Sequence, residues 1–421
     1  SISSYPKTRF RGWFINDEDL LGGFKTLGKR EVNYEYYNDV IHPDMMKRIA
    51  ETALRCCANL LIPSTLVDLT NLYEENLVKI CSEMGLYISQ HHIEPLGVSK
   101  FGFSKFAKAN NLNDGFSYIS NKDALVECWK YYLRLWSKYP RIVFQTGLRG
   151  GTDRPVWANE KMSELPKDRG ELISNAITEQ FNLIKEIYPY EINVTSTLWM
   201  EGADLLKGGY LNIPNEIFII FADIGMSQLF GEDFFTVPRD INKKYGIYYH
   251  AAFWHTGPHL AEGVLPKKMC YAYQLLRDYK SDYYSILNVA NIKDLTFSIY
   301  MNSKLTWNDN ISLNEIYDEY ASLYFSDNKK DKLITAIKTF YSALGDVGED
   351  QYERFCKKCN FSYKKYTDLD FPVVSFNDGM FKAIIWCFYY EHRELVKTPK
   401  LREVCVKGLP IILDAYYQFK E

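Results

Sequence analysis

The sequence lacks the features that mark several large classes of protein. Lys and Arg number 50 and Asp and Glu 53 among 421 residues, and no basic block stands out, which argues against a nucleic-acid partner. No apolar run approaches the roughly 18 residues that a membrane span needs. Neither a P-loop nor a nucleophile elbow is present, so phosphate-binding and serine- or cysteine-hydrolase chemistry are not indicated.

Metal-ligand spacing is also missing. The first predicted strand carries no His-x-His pair, and the single Cys-x-x-Cys, at Cys356 and Cys359, has no second pair. His91, His92 and Glu94 are close in sequence, but neighbouring side chains on an extended segment point in opposite directions. We therefore expect no metal and no other cofactor.

The cysteines and the first residue bear on location. The nine cysteines fall mostly in helix-like apolar patterns, where free buried thiols are the usual state, so we expect a reducing compartment or an anaerobic, bacterial-type source. The sequence starts at Ser1 rather than at methionine, which suggests a trimmed leader. Both a cytoplasmic and a secreted location of a soluble protein therefore remain open.

Eight short apolar runs alternate with longer helical patterns over roughly the first 300 residues. The runs cover 9–15, 59–62, 86–89, 141–146, 191–198, 217–221, 247–250 and 283–288. This alternation predicts an α/β fold, a (β/α)8 TIM barrel. A doubly wound open sheet is the alternative, but it normally shows a glycine-rich phosphate turn directly after the first strand, and Gly22-Gly23 lies too far beyond that strand.

The helical patterns between the runs are amphipathic. Residues 121–136 and 171–188 place apolar side chains on one face at helical spacing, namely Leu125, Trp129, Tyr132 and Trp136 in the first and Leu172, Ile177, Phe181 and Ile184 in the second. From about Ser312 the patterns are almost entirely helical. We predict a barrel catalytic domain over residues 1–305 and a C-terminal helical bundle over residues 306–421.

Polar side chains collect directly after the predicted strands. In strand order they are Asn16, Asp17 and Glu18; Ser64 and Thr65; His91, His92 and Glu94; Arg149 and Asp153; Trp199 and Glu201; Asp223; His250, Trp254 and His255; and Asn288 and Asn291. Active sites of such barrels lie at the carboxyl ends of the strands, so these residues are expected to meet there. Taken singly, the acids are also explained as helix caps or as partners of Arg149.

The residue types at these strand ends suit glycoside hydrolysis. One carboxylic acid protonates the leaving oxygen, a carboxylate activates water or attacks carbon, and aromatic rings hold the faces of the sugar. The sequence is rich in such rings, with 33 Tyr and 8 Trp. Arg149 would add a two-pronged contact to the carboxylate of an acidic sugar.

Five stretches of the sequence resemble, in order, motifs of glycoside hydrolase family 115, the xylan α-glucuronidases. They are "RGWFINDED", "HHIEP", "TGLRGGTDRP", "LWMEGADLLKGGYLNIPNEIFIIFADIG" and "YGIYYHAAFWHTGPHL". The resemblance spans residues 9 to 305, and the C-terminal helices are similar to the bundle that follows the family's barrel. It implies an inverting exo-enzyme that removes a glucuronosyl or 4-O-methylglucuronosyl branch, and it implies a homodimer.

The resemblance also implies roles for individual residues. Glu201 is predicted as the general acid and Asp153 as the general base. The resemblance carries over Glu18, His92, Glu94, Arg149, Asp223 and His250 as further site residues. With the strand-end residues Asn16, Asp17, Trp199 and Trp254, these are predicted to bind the oligosaccharide or polysaccharide substrate.

The sequence departs from the family's pattern in three places. Met200 stands where the family has lysine, Ala252 stands at or near its aspartate, and Asp223-Ile224-Gly225 replaces Asp-Asp-Asn. Two other interpretations follow from these departures. One is the same mechanism on a different sugar, and the other is a catalytically weakened barrel that binds glycans.

Overall fold

The computed structural model describes residues 5–16, 19–31, 38–151, 153–158, 160–225, 227–252, 263–308, 310–327, 329–346, 363–366, 368–375 and 399–420. Its strands are β1 (Phe10–Phe14), β2 (Thr26–Lys29), β3 (Asp39–Ile41), β4 (Leu60–Ile62), β5 (Tyr87–Ser89), β6 (Ile142–Thr146), β7 (Asn193–Leu198), β8 (Ile217–Ile224), β9 (Leu229–Phe230), β10 (Tyr245–His250) and β11 (Tyr284–Asn288). Eight of these strands are parallel neighbours, in the order β1, β4, β5, β6, β7, β8, β10 and β11. Pairing of β11 with β1 closes the sheet, so the predicted eight-stranded barrel is confirmed.

The barrel interior is filled by alternate residues of its strands, as the period of a β-strand requires. The inner cluster consists of Phe10, Phe14, Leu60, Ile62, Val143, Phe218, Ile220, Ala222, Tyr248, Tyr284 and Ile286. Gly12 lies where a Cβ atom would come within 2.8 Å of side-chain atoms of Leu60 and Ile286, so this position has no room for a side chain. At the carboxyl end of this packed core the next inward positions are polar.

Helices surround the barrel and continue beyond it. They are α1 (Asp19–Phe24), α2 (Pro43–Arg55), α3 (Leu72–Glu83), α4 (Lys100–Ala109), α5 (Lys122–Trp136), α6 (Pro166–Ile187), α7 (Glu201–Lys207), α8 (Glu232–Thr236), α9 (Pro266–Asp278), α10 (Thr296–Trp307), α11 (Leu313–Ser322), α12 (Lys329–Ser342) and α13 (Pro399–Lys420), with short 3-10 turns at Pro95–Gly97, Lys293–Leu295 and Tyr363–Tyr366. All four apolar residues predicted for the inner face of α5 are buried. The second predicted helix begins earlier than expected, at Pro166, because proline suits the first turn of a helix.

The segment after the barrel contains α11, α12 and α13, and α11 begins with a capping box between Ser312 and Glu315. Residues 368–375 of this segment are not helical, and Ser375 forms an isolated β-bridge with Asp346. The assignment of residues 306–421 to a helical bundle stays a prediction. The boundary at residue 306 remains a prediction. Within the ranges given above, no helix combines the length and apolar character that crossing a membrane requires.

Candidate active site

One buried guanidinium joins the two predicted catalytic carboxylates at the carboxyl end of the barrel. Arg149 lies in the loop after β6, and its Nη1 donates to Oε1 of Glu201 at 2.7 Å. Its Nε lies 2.7 Å from Oδ1 of Asp153, and its Nη2 donates to the main-chain oxygen of Asp153 at 2.6 Å. Arg149 therefore fixes the positions of both acids, one from the loop after β6 and one from the turn after β7.

The backbone that presents these acids is unusual. Asp153 has a φ of 54°, and Met200, the residue before Glu201, has a φ of 46° and a ψ of −110°. Non-glycine residues adopt positive φ at a cost of about 1–3 kcal/mol, and such residues cluster at functional sites. Gly150 N donates to the oxygen of Arg154 at 2.8 Å and closes the loop that carries Asp153.

The two carboxylates differ in their pKa values. Burial raises the pKa of Asp153, but the hydrogen bond and charge of His92 and the charge of Arg149 outweigh it, so the pKa lies below its ordinary value of 3.8. Burial also raises the pKa of Glu201, and here the charge of Arg149 does not fully offset it, so the pKa lies above 4.5. The environment thus shifts the two pKa values in opposite directions, as an acid–base pair requires.

Histidine and aromatic rings line the inner side of this cluster. Nε2 of His92 lies 3.6 Å from Oδ1 of Asp153. The His92 ring contacts those of His91 and Tyr248, with centroids 4.5 and 5.8 Å apart. Tyr248 also contacts the ring of His250 at 4.7 Å, and its hydroxyl accepts a hydrogen bond from Asn288. Tyr248 was not predicted from the sequence, although its position two residues before His250 on one strand places both on the same face.

Asp223 and His250 form a buried pair beside the ring of Tyr248. Nδ1 of His250 lies 2.5 Å from Oδ1 of Asp223, and the same oxygen accepts from the main-chain N of His250 at 3.2 Å. Asp223 was expected to follow a strand that ends at residue 221, but β8 extends to Ile224 and its end pairs with β9. Because Asp223 is 0% exposed, it orients His250 rather than reaching solvent in this structure.

Glu94 lies in a different cluster from the other predicted site residues. It is 2% exposed, and the charged groups that act on it are Glu74, Arg30 and Asp68. Burial and the negative charge of Glu74 raise the pKa of Glu94 well above its ordinary value, and Arg30 only partly opposes them. The structure therefore does not bring Glu94 to Asp153 and Glu201.

The substitution Glu94→Gln separates a structural role from contact with substrate. The raised pKa of Glu94 favours its uncharged form, which the amide resembles, so we expect Glu94→Gln to change the free energy of unfolding at pH 4.5 by less than about 1 kcal/mol and hydrolysis by less than about twofold. The contribution of Glu94 to the free energy of unfolding is fully present below pH 4.5 and is lost as pH rises through its raised pKa. The free energy of unfolding of the variant should lack this pH dependence. An increase in KM in the variant would contradict this assignment and indicate that Glu94 contacts the substrate.

The remaining predicted residues lie at the same end of the barrel or outside the described residues. Oδ1 of Asn16 accepts from Thr65 at 3.2 Å, and the main-chain oxygen of Thr65 lies 3.1 Å from Nδ1 of His91. Trp199 is half-buried and packs on both the inner cluster and the outer core. The predictions for Asp17, Glu18, Trp254 and His255 fall outside the residues that the structure describes. Within the described ranges, no three His, Cys, Asp or Glu side chains are grouped so as to hold a metal ion.

Comparison with known proteins agrees with this architecture. A protein-family model, Glycosyl hydrolase family 115, matches residues 3–350. A solved family GH115 4-O-methyl-α-glucuronidase with specificity for decorated arabinogalactans superposes with a TM-score of 0.67 and 18% identity, over 83% of this chain and 46% of that one. A GH138 enzyme targeting pectin rhamnogalacturonan II superposes with a TM-score of 0.56 and 11% identity, over 100% of this chain and 58% of that one.

These similarities at low identity concern the fold. The chain spans about half the length of the two solved enzymes, 46% of the first and 58% of the second. No curated protein matches the sequence.

Proposed function

Since the chain belongs to glycosyl hydrolase family 115, we propose that it is an exo-acting, inverting hydrolase of an α-linked glucuronic acid or 4-O-methylglucuronic acid branch on a plant-type glycan. One observation carries this proposal. A single guanidinium, that of Arg149, holds two carboxyl groups whose pKa values are shifted in opposite directions. That arrangement supplies an acid and a base at once.

Glu201 is suited to protonate the leaving group. Its Oε1 is held by Arg149, whereas its buried Oε2 has no hydrogen-bond partner among the described residues. The raised pKa favours the protonated form of this carboxyl, which can give its proton to a glycosidic oxygen. The bond from the anomeric carbon to that oxygen then breaks, and the glycan leaves as a neutral alcohol.

Asp153 is suited to activate water on the other side of the sugar. Its side chain is 42% exposed and its lowered pKa keeps it ionised, so it can accept a proton from water as the oxygen of that water bonds to the anomeric carbon. The two carboxylates bind different nitrogens of Arg149, so they are held as two separate groups that can act as acid and base. Inversion requires carboxyl groups about 6.5–9.5 Å apart, which leaves room for the attacking water.

Arg149 is a positioning residue in this proposal rather than the ligand of a uronic acid. Each of its three side-chain nitrogens already faces Asp153 or Glu201. The guanidinium, which the sequence suggested as a two-pronged ligand of a sugar carboxylate, is therefore already engaged by these two acids. His92 and Tyr248 are left to contact the sugar, together with the half-buried Trp199.

Hydrolysis of defined glycans tests this proposal. The substrates are aldouronic acids from xylan, glucuronylated arabinogalactan fragments, and neutral and acidic oligosaccharides without α-glucuronosyl groups. We expect release of glucuronic acid or its 4-O-methyl ether, first as the β-anomer in proton NMR. Release of another sugar would favour the second candidate, a glycosidase with a pocket altered at Met200. No release from any substrate would contradict hydrolysis and leave the glycan-binding alternative.

The pH dependence of kcat/KM follows from the opposite pKa shifts. The active form has Asp153 ionised and Glu201 protonated. Activity should therefore fall toward acid at a pH below 3.8, as Asp153 gains its proton, and fall toward alkali at a pH above 4.5, as Glu201 loses its proton. We expect Glu201→Gln to abolish the alkaline limb and leave the acidic limb. A profile whose alkaline limb persists in that variant would assign the limb to another group.

A further inference from the structure

A cavity opens at the end of the barrel opposite to Arg149, Asp153 and Glu201. It has a volume of about 460 Å³ and lies among the ends of α2, α10 and α11. The chain runs from α2 directly into β4, and the oxygen of Trp307 at the end of α10 accepts from Lys7 N just before β1. The cavity therefore faces the amino ends of the strands, about 15 Å or more from Arg149 given the rise of the five residues of β1.

The cavity walls combine aromatic surface with neutral polar groups. Tyr300 and Trp307 of α10 contribute rings, and Ser303 and Asn308 contribute a hydroxyl and an amide. A pyranose ring has an apolar face of C–H groups that packs on aromatic rings, and a rim of hydroxyls that both donate and accept hydrogen bonds. The volume lies within the range of about 300–1,000 Å³ that is usual for small-molecule sites.

The charged groups at the cavity are already paired. Nζ of Lys304 forms an ion pair with Oε2 of Glu319, and the guanidinium of Arg55 lies 2.7 Å from Oε1 of Glu51. Each described charged residue that lines the cavity thus has a partner of opposite sign. This favours an uncharged ligand over an anion.

The aromatic wall is held in place without a ligand. Arg11 is buried, its guanidinium lies 5.3 Å from the centre of the Trp307 ring, and its Nε donates to the main-chain oxygen of Cys57 at 2.8 Å. Nη1 of Arg11 also donates to the oxygen of Thr8 at 2.7 Å. A site fixed in this way binds without the cost of ordering its own side chains.

We propose that this cavity is a second glycan-binding site, which holds a neutral pyranose segment of a polysaccharide. It would keep the polymer on the protein while a branch occupies the carboxyl end of the barrel. The proposal does not rest on hydrolysis, because the cavity shares no residue with the cluster around Arg149.

The exposed thiol of Cys57, which lines the cavity, reports occupancy directly. The full chain is alkylated with N-ethylmaleimide in the presence of xylohexaose or a neutral galacto-oligosaccharide, and modification of Cys57 is followed by peptide mass spectrometry. At ten times the Kd from calorimetry, we expect at least one of the two sugars to slow alkylation of Cys57 about tenfold. Unchanged alkylation with both would overturn the proposal, as would stronger protection by an acidic oligosaccharide.

Variants distinguish the two ends of the barrel. Leu323→Glu adds a charge at the cavity rim where the native side chain is 65% exposed, so it should abolish protection without disturbing the core. Trp307→Ala should do the same while hydrolysis of a small aryl glycoside changes less than about twofold. Asp153→Asn and the matched exposed aromatic variant Tyr73→Ala should keep full protection. Protection that survives Leu323→Glu, or that is lost in Asp153→Asn, would place the bound sugar elsewhere.

Discussion

Glu201→Gln should lower kcat on natural glycan substrates by about 10³- to 10⁴-fold, within the range for loss of a general acid. The amide keeps an oxygen for Nη1 of Arg149, so the ion-pair partner is lost but the hydrogen bond at that position can persist. It has no proton to give to a sugar alcohol, which is a poor leaving group. Steady-state rates measured by the released sugar test this expectation, with circular dichroism to show that the variant is folded.

The identity of the acid is tested by changing the leaving group. A nitrophenyl glycoside leaves without protonation, so Glu201→Gln should lose at most about tenfold on it, whereas Asp153→Asn should lose about 10²- to 10⁴-fold on both kinds of substrate. The two variants are matched controls for each other, since each replaces one carboxylate held by Arg149 with its amide.

The reverse pattern would exchange the two roles. If Asp153→Asn alone recovered on the nitrophenyl glycoside, Asp153 would be the acid despite its lowered pKa. Full activity in either variant on natural substrates would remove that residue from the chemistry. Another acid, in place of Glu201, or another base, in place of Asp153, would then have to act beside Arg149.

The barrel could be predicted from the sequence because its strands coincide with short, largely apolar runs, most of whose residues are buried in the structure. Phe10–Phe14 and Tyr284–Asn288 illustrate this, since every residue in both strands is buried. The hairpin of β2 and β3 was not predicted. Residues 26–29 of β2 are mostly exposed, so they carry no apolar alternation that a sequence pattern could reveal.

The candidate site was predictable in its location but not in its contacts. Arg149, Asp153 and Glu201 follow strands whose carboxyl ends converge, so their proximity follows from the fold. Whether an acidic side chain after a strand points toward the barrel axis at this carboxyl end or away from it depends on tertiary packing. Glu94 shows this, because it follows β5 but its carboxyl group interacts with the cluster of Arg30 and Glu74.

The buried cluster of Arg30, Glu74 and Glu94 gives the second large expected effect, a loss of stability. Arg30→Met should reduce the free energy of unfolding by about 3–5 kcal/mol, the usual cost of removing one member of a buried ion pair. The side chain of Arg30 is 0% exposed, and its Nε lies 3.5 Å from Oε2 of Glu74, which is itself buried. Methionine fills similar space but leaves Glu74 with less compensation for its charge. Chemical denaturation of the two proteins measures the difference.

The neighbouring residue provides the matched control. Lys29 has a side chain that is 76% exposed and lies 4.0 Å from Asp39, so Lys29→Met should change stability by less than about 1 kcal/mol. A change of less than about 1 kcal/mol in both variants would mean that the protein tolerates loss of either cation, and that Arg30 does not anchor the cluster.

The Arg30 cluster also connects stability to the active site. Arg30 donates to the hydroxyl of Ser64 and to the main-chain oxygen of Leu66, the residues on either side of Thr65. Thr65 in turn contacts Asn16 and His91 at the barrel mouth. Arg30→Met should therefore raise KM in protein that is still folded, because the loop after β4 loses the anchor that sets Thr65 against the ring of His91.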